Sequence, residues 1–231
     1  MLVHVYAITD SYSAHTSKIS GHEGCEITLL PQGGLWVAVS KASGEVLEAS
    51  VERVWLHEQV LSQLLEHHAV LPMRFGMICE DTHLASFIGE RTQVLNADLR
   101  RLNGAVEMAL RVSLKNSPIV EELPRELAPP HISGRSYLLS RVKQREQRLA
   151  QAYPLSPLKA HLEACCRQSL WQEPSAEGEP YKVSCLIGRN EVSAFACAMK
   201  EMETPEVKIS CTGPWAPYSF VSSMSALGVG T

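Results

Sequence analysis

Apolar and polar positions alternate from the second residue, with Val3, Val5 and Ala7 set against His4 and Tyr6. Side chains along a strand point to opposite faces in turn, so this pattern predicts a strand that starts at once. Two further apolar runs, Cys25–Leu30 and Leu35–Ser40, flank Pro31-Gln32-Gly33-Gly34 and predict a hairpin. The stretch between, Asp10 to Gly24, is polar and rich in His and Ser, and is expected to be a mobile loop. From Val51 to His68 the period changes. Val51, Val54, Trp55, Leu61, Leu64 and Leu65 recur near helical spacing, with Ser50 as N-cap and Glu52 placed against the helix dipole. A second helix is expected from about Thr82 to Leu102, with Leu84, Phe87, Ile88, Leu95, Leu99 and Leu102 as its buried stripe and Asn103-Gly104 as its stop.

Val106 to Leu114 alternates over its whole length: Val106, Met108, Leu110, Val112 and Leu114 on one face, Glu107, Ala109, Arg111 and Ser113 on the other. One buried face and one that is wet or meets a partner follow from that. Pro118, Pro124, Pro129 and Pro130 then forbid helix and central strand alike. A helical stretch is expected from Ser136 to about Tyr153, resuming after Pro154 and Pro157 and ending before Trp171. An acidic connection at 173–180 leads to strand Tyr181–Ile187, helix Glu191–Met202 (core stripe Val192, Phe195, Ala196, Met199) and strand Val207–Thr212. With one more strand around Ser169–Gln172, the order is β-α-β-β-α-β, the split βαβ arrangement of ferredoxin-like domains. The expected fold class is therefore α+β in two domains. These are an N-terminal α+β domain over 1–104 and a C-terminal ferredoxin-like domain over 105–231.

Composition narrows the function classes. The 231 residues are 45% hydrophobic and 20% charged, enough apolar material for a real core. A net charge of −4 argues against a surface that wraps nucleic acid. No stretch reaches the ~18 apolar residues of a membrane helix, and the first residues lack the basic and apolar regions of a signal peptide. A cytoplasmic protein is expected, with no membrane partner. The seven cysteines are odd in number and include no CxxC pair, which suits reduced thiols; Cys185, Cys197 and Cys211 fall in apolar patterns as small hydrophobes.

The chain carries no phosphate loop, dinucleotide turn, nucleophile elbow or HExxH helix. Ser156-Pro157-Leu158-Lys159 matches SxxK, but no SDN or KTG partner follows. Adjacent His67 and His68 point about 100° apart on a helix. His57 and His68 share a face without a third ligand at helical spacing, and His83 reads as part of a helix cap. Glu80-Asp81 and Glu121-Glu122 read as solvated charge. No catalytic residue, metal or cofactor is expected. Arg141, Arg145 and Arg148 fall at i, i+4 and i+7 on one face of the expected helix, with Leu138, Val142 and Leu149 on another. They form a solvated back or a face that docks a protein; no aromatic platform for nucleic acid accompanies them.

Four stretches resemble the GvpF/GvpL family of gas vesicle proteins: Val70-Leu71-Pro72-Met73-Arg74-Phe75-Gly76, Leu102-Asn103-Gly104-Ala105-Val106-Glu107, Gly134-Arg135-Ser136-Tyr137-Leu138-Leu139, and Thr212-Gly213-Pro214-Trp215-Ala216-Pro217-Tyr218-Ser219-Phe220-Val221. The last is similar to that family's TGPWPPYSF ending, with Ala216 for one proline, and His4-Val5-Tyr6-Ala7-Ile8 is similar to its VYGI start. The resemblance implies two domains, the C-terminal one a modified ferredoxin-like fold. It implies a non-enzymatic accessory role in gas vesicle formation, localisation to the gas vesicle, and interaction with the shell protein GvpA. The family motifs assign Leu71, Pro72, Arg74, Phe75, Gly76, Gly213, Pro214, Trp215, Pro217, Tyr218 and Phe220 as structural. Arg74 is expected to tie loop groups together, and Trp215, Tyr218 and Phe220 to dock as a clasp. The rival reading is a ligand-binding regulatory module of ferredoxin-like fold.

Overall fold

A computed structural model describes residues 1–12, 19–44, 47–114, 155–176 and 178–222. In chain order its elements are β1 (Leu2–Thr9), β2 (Thr28–Gln32), β3 (Leu35–Lys41), α1 (Val51–His67), β4 (Val70–Pro72), β5 (Ile78–Glu80), α2 (Asp81–Leu102), β6 (Ala105–Leu114), α3 (Ser156–Cys165), β7 (Gln168–Gln172), β8 (Tyr181–Gly188), α4 (Val192–Glu201) and β9 (Val207–Trp215). The expected proline loop, arginine-bearing helix and last residues lie outside the described residues. Of the Asp10–Gly24 stretch only the ends are described, and His22 there is buried in a 3-10 turn, His22–Gly24.

β1 is the middle strand of the first sheet, ordered β2-β3-β1-β4 with β5 also on β1. β4 and β5 are too short for periodicity to reveal. Both pair antiparallel with the same edge of β1, β4 with Ala7–Thr9 and β5 with Leu2–His4. The chain between them bridges the gap, Met73 N–H donating to Tyr6 O and Val5 N–H to Met77 O.

The alternation along β1 holds only as far as Tyr6. Val5 pairs with Val39 and Ala7 with Ala38, so Tyr6 is an extra residue, a β-bulge. The bulge shifts the phase by one. Val3 and Val5 face the α2 side, and Ile8 rather than Ala7 continues that face; Tyr6 and Ala7 join the α1 side. Both faces of β1 are thus covered, and its residues from Val3 to Thr9 are buried. One core packs Leu84, Ile88, Leu95 and Leu99 of α2 against Val3, Val5, Ile8 and Val37. The other packs Val60, Leu61, Leu64 and Leu65 of α1 against Tyr6, Ala7, Ala38 and Val70.

The expected stripe on α1 holds for its second half only. Trp55 and Leu64 are nine positions apart, about two and a half turns, so they face opposite sides. Trp55 is 55% and Val51 82% exposed, whereas His57 is buried in their place. Ser50 caps the helix as expected, its hydroxyl accepting from Arg53 N–H. On β6, Arg111 and Ser113 are exposed as expected, but Glu107 is buried.

The chain divides into two compact units. One comprises Met1–Met108, Leu186–Asn190 and the described residues from Gly213 on; the other comprises Ala109–Cys185 and Glu191–Thr212. The second sheet has the order β7-β8-β6-β9. Within the second unit Phe195 and Met199 of α4, Leu158 and Leu162 of α3, Val183 and Val207 are buried, while Val192 and Ala196 are half-buried. Cys197 is exposed, so it does not act as a core hydrophobe there. Among the described residues no helix is long and apolar enough to cross a membrane.

Candidate functional site: the C-terminal motif and the surface beside it

The ending expected to act as a clasp starts as strand. β9 continues through Gly213 and Pro214 to Trp215, and a 3-10 turn follows at Tyr218–Phe220. Its groups then bond to three different elements of the first unit. Tyr218 Oη donates to Glu58 Oε1 of α1 at 2.7 Å. Ser219 donates twice to Glu107 of β6, from N–H to Oε2 at 2.9 Å and from Oγ to Oε1 at 2.7 Å. Ser222 donates twice to Asp98 of α2, at 2.8 and 2.9 Å, and Arg101 bridges Asp98 Oδ1 to the carbonyl of Phe220.

Glu107 is buried for this reason. A carboxylate loses several kcal/mol of hydration on burial unless its oxygens are bonded, and the motif supplies a donor to each. Burial, followed by the neighbouring Glu58 charge, pushes the Tyr218 phenol well above its ordinary range. Burial likewise raises the Glu58 carboxyl, against the Tyr218 hydrogen bond that lowers it. Glu107→Gln keeps one acceptor but sets an amide N–H against a donor, and is expected to cost about 1–3 kcal/mol. Thermal unfolding measures it; an unchanged Tm would show that the paired contact adds nothing to stability.

The aromatic rings of the motif are buried unevenly. Phe220 sits in the α2-side core, and Ala216 and Pro217 are buried, whereas Trp215 and Tyr218 are half-buried. Trp215 and Pro214 line an open pocket of about 410 Å³ with Trp55, Gln59 and Gln63 of α1. With exposed Val51 and Val54, this makes an apolar strip along the outer side of α1.

Leu71 and Pro72 of the second motif are buried in β4, Phe75 and Gly76 are half-buried, and Arg74 is exposed with its carbonyl accepting Met77 N–H. Of the histidines, His68 meets Ser11 Oγ at 3.2 Å, while His57 turns away from it towards His4 and His22. Arg141, Arg145 and Arg148 lie outside the described residues. The partners Glu58, Asp98, Arg101 and Glu107 were not legible as a set. They are separated by up to 49 positions, and only the odd placement of a carboxylate in the apolar opening of β6 hints at one of them.

The fold is mixed α/β with antiparallel sheets, and it is shared with solved gas vesicle proteins. The crystal structure of GvpF from Anabaena sp. PCC7120 superposes with a TM-score of 0.77 at 17% identity, covering 95% of each chain. That of GvpF from Microcystis aeruginosa gives 0.79 at 15% identity, covering 95% of this chain and 98% of that one. The model of the family "Gas vesicle synthesis protein GvpL/GvpF" matches residues 2–222, and the chain belongs to that family. Gas vesicle protein L of Streptomyces sp. (strain CB03234) is 26% identical over 247 residues, covering 95% of this chain and 92% of the relative. Gas vesicle protein F of the same organism is also 26% identical, over 245 residues, covering 96% of this chain and 100% of the relative.

Proposed function

We propose that this chain is a minor gas vesicle component, acting from the cytoplasm, that binds the shell protein GvpA and keeps it from aggregating until the shell nucleates. A wall that holds gas presents an apolar face, so its subunits expose much hydrophobic surface before assembly. Such surface, with open strand edges, aggregates. The observation that carries the reading is the exposed strip of Val51, Val54 and Trp55 on α1, beside Pro214 and Trp215, in a chain of this family. Contiguous exposed apolar surface, unlike apolar residues scattered singly, marks protein interaction sites. Arg141, Arg145 and Arg148 are proposed as a second contact, a basic face that steers the complex.

The C-terminal part is read as a modified ferredoxin-like domain over 105–231, beside an N-terminal α+β domain over 1–104. The sheet order supports this: β8 lies between β6 and β7, and β6 between β8 and β9. Each β-α-β passage is thereby split by a strand of the other.

Co-purification with tagged shell protein tests the function. Val51→Glu with Trp55→Glu is expected to keep Tm, since surface changes cost within about ±0.5 kcal/mol, and to reduce capture at least tenfold. Charge reversal of all three arginines to Glu is expected to weaken capture with the fold intact. Capture unchanged in one variant removes that surface from the proposal; unchanged in both overturns it. A large Tm rise with one small metabolite would favour the regulatory-module reading instead.

A further inference from the structure

We propose that His4, His22 and His57 form a binding site for one divalent transition-metal ion, zinc foremost, held by one ring nitrogen from each. The three residues come from β1, the 3-10 turn and α1, and one nitrogen of each lies within 4.8 Å of the other two. All are buried: His4 is 2%, His22 5% and His57 0% exposed. Among the described residues, both ring nitrogens of His4, Nε2 of His22 and Nδ1 of His57 have no hydrogen-bond partner. Buried polar atoms are otherwise bonded almost without exception, and a group left unbonded calls for an explanation such as an ion. A metal would satisfy one nitrogen on each ring at once.

The surroundings suit a metal site. His57 Nε2–H donates to the carbonyl of Met73 at 3.0 Å, which makes Nδ1, without a partner of its own, the nitrogen that carries the lone pair. A second-shell bond of this kind fixes tautomer and ring orientation for a ligating histidine. The turn that carries His22 is held by its backbone N–H, which donates to Tyr6 Oη at 2.8 Å. Phe75 of the family motif lies edge-on to all three imidazoles, at 5.6 to 6.2 Å between ring centres.

Zinc to imidazole bonds of about 2.0–2.1 Å in a tetrahedron place the nitrogens about 3.3 Å apart. The widest pair therefore closes by at most about 1.5 Å when the ion binds. A pocket of about 110 Å³ adjoins two of the three rings, lined by His4 and His22 together with Glu23, Lys41 and Ser43, and offers a path for entry and room for water. Three nitrogen donors disfavour calcium and magnesium, which take oxygen. The bound ion would join positions 4, 22 and 57, so its role is to lock the first unit.

The test uses the full chain stripped with a chelator and titrated with zinc alone. One equivalent is expected to bind saturably. At a hundredfold excess over Kd, Tm should rise by roughly 5–10 °C. Cobalt should bind the same site without a thiolate charge-transfer band, which separates it from the cysteines. His22→Gln, on the turn, should abolish the Tm rise. Should that variant fail to fold, ring-nitrogen NMR of the wild-type chain decides, with three histidines shifting together on saturation. No saturable equivalent, a thiolate band, or a Tm rise that survives in His22→Gln would overturn the proposal.

Discussion

Phe220→Ala is expected to lower stability by about 3–5 kcal/mol, the range for emptying a buried aromatic site. In a chain of this size that is a Tm lower by roughly 10 °C. The ring is 4% exposed and belongs to the same core as Leu99 and Leu102 of α2 and Leu186. The cavity cannot collapse easily, because the backbone around it is held on both sides. Arg101 grips the carbonyl of Phe220, and Glu107 and Asp98 hold residues 219 and 222. The same ending framed as a free docking peptide would keep its Tm after this change and lose only its partner. A melting curve that superposes on the wild type would therefore show that the motif is not part of the folded core. Trp215→Ala is expected to cost less, since that ring is half-buried and lines an open pocket.

Periodicity made the long elements legible, for physical reasons. α2 matches its expected stripe at every position, because a helix packed against one sheet must repeat its apolar face every three to four residues. The hairpin and the alternating strand β6 were readable on the same ground. The misses are places where a distant residue changed what a side chain could do. Glu107 stands on the face expected to be wet, and Ser219, 112 positions away, bonds it into the interior. β4 and β5 have three residues each, too few for any period, and owe their form to β1. The bulge at Tyr6 leaves no mark in a pattern that alternates through it. His4, His22 and His57 share no spacing rule, since a turn, a strand and a helix bring them together. Spacing along one helix pairs His57 with His68, which the fold keeps apart in different contacts. Trp55 of α1 is exposed although it falls near the spacing of the core leucines, because spacing alone does not tell an apolar residue on the surface from one facing the interior.

Gly213→Ala is expected to lower stability by about 3 kcal/mol or more, although it adds one methyl at an exposed residue. Gly213 has φ +125°, a region that side chains rarely enter, and forcing one there costs of order 1–3 kcal/mol. Space is the second difficulty. A Cβ would stand 2.8 Å from the carbonyl oxygen of Glu107 and 3.0 Å from Sδ of Met108. Sδ sits on a flexible chain and could give way. The carbonyl belongs to the backbone of β6, and moving it would disturb the residue whose carboxylate holds Ser219. The strain would thus pass from the start of the motif to its anchor. Gly104→Ala is the control, because φ there is +66° and a Cβ would meet nothing within 4 Å. It should carry the backbone cost alone, about 1–2 kcal/mol. Urea unfolding of both variants separates the two contributions, with equal m-values indicating that only the native state has changed. Equal losses in the two variants would mean that close approach to β6 does not explain the glycine, and that its backbone conformation alone does.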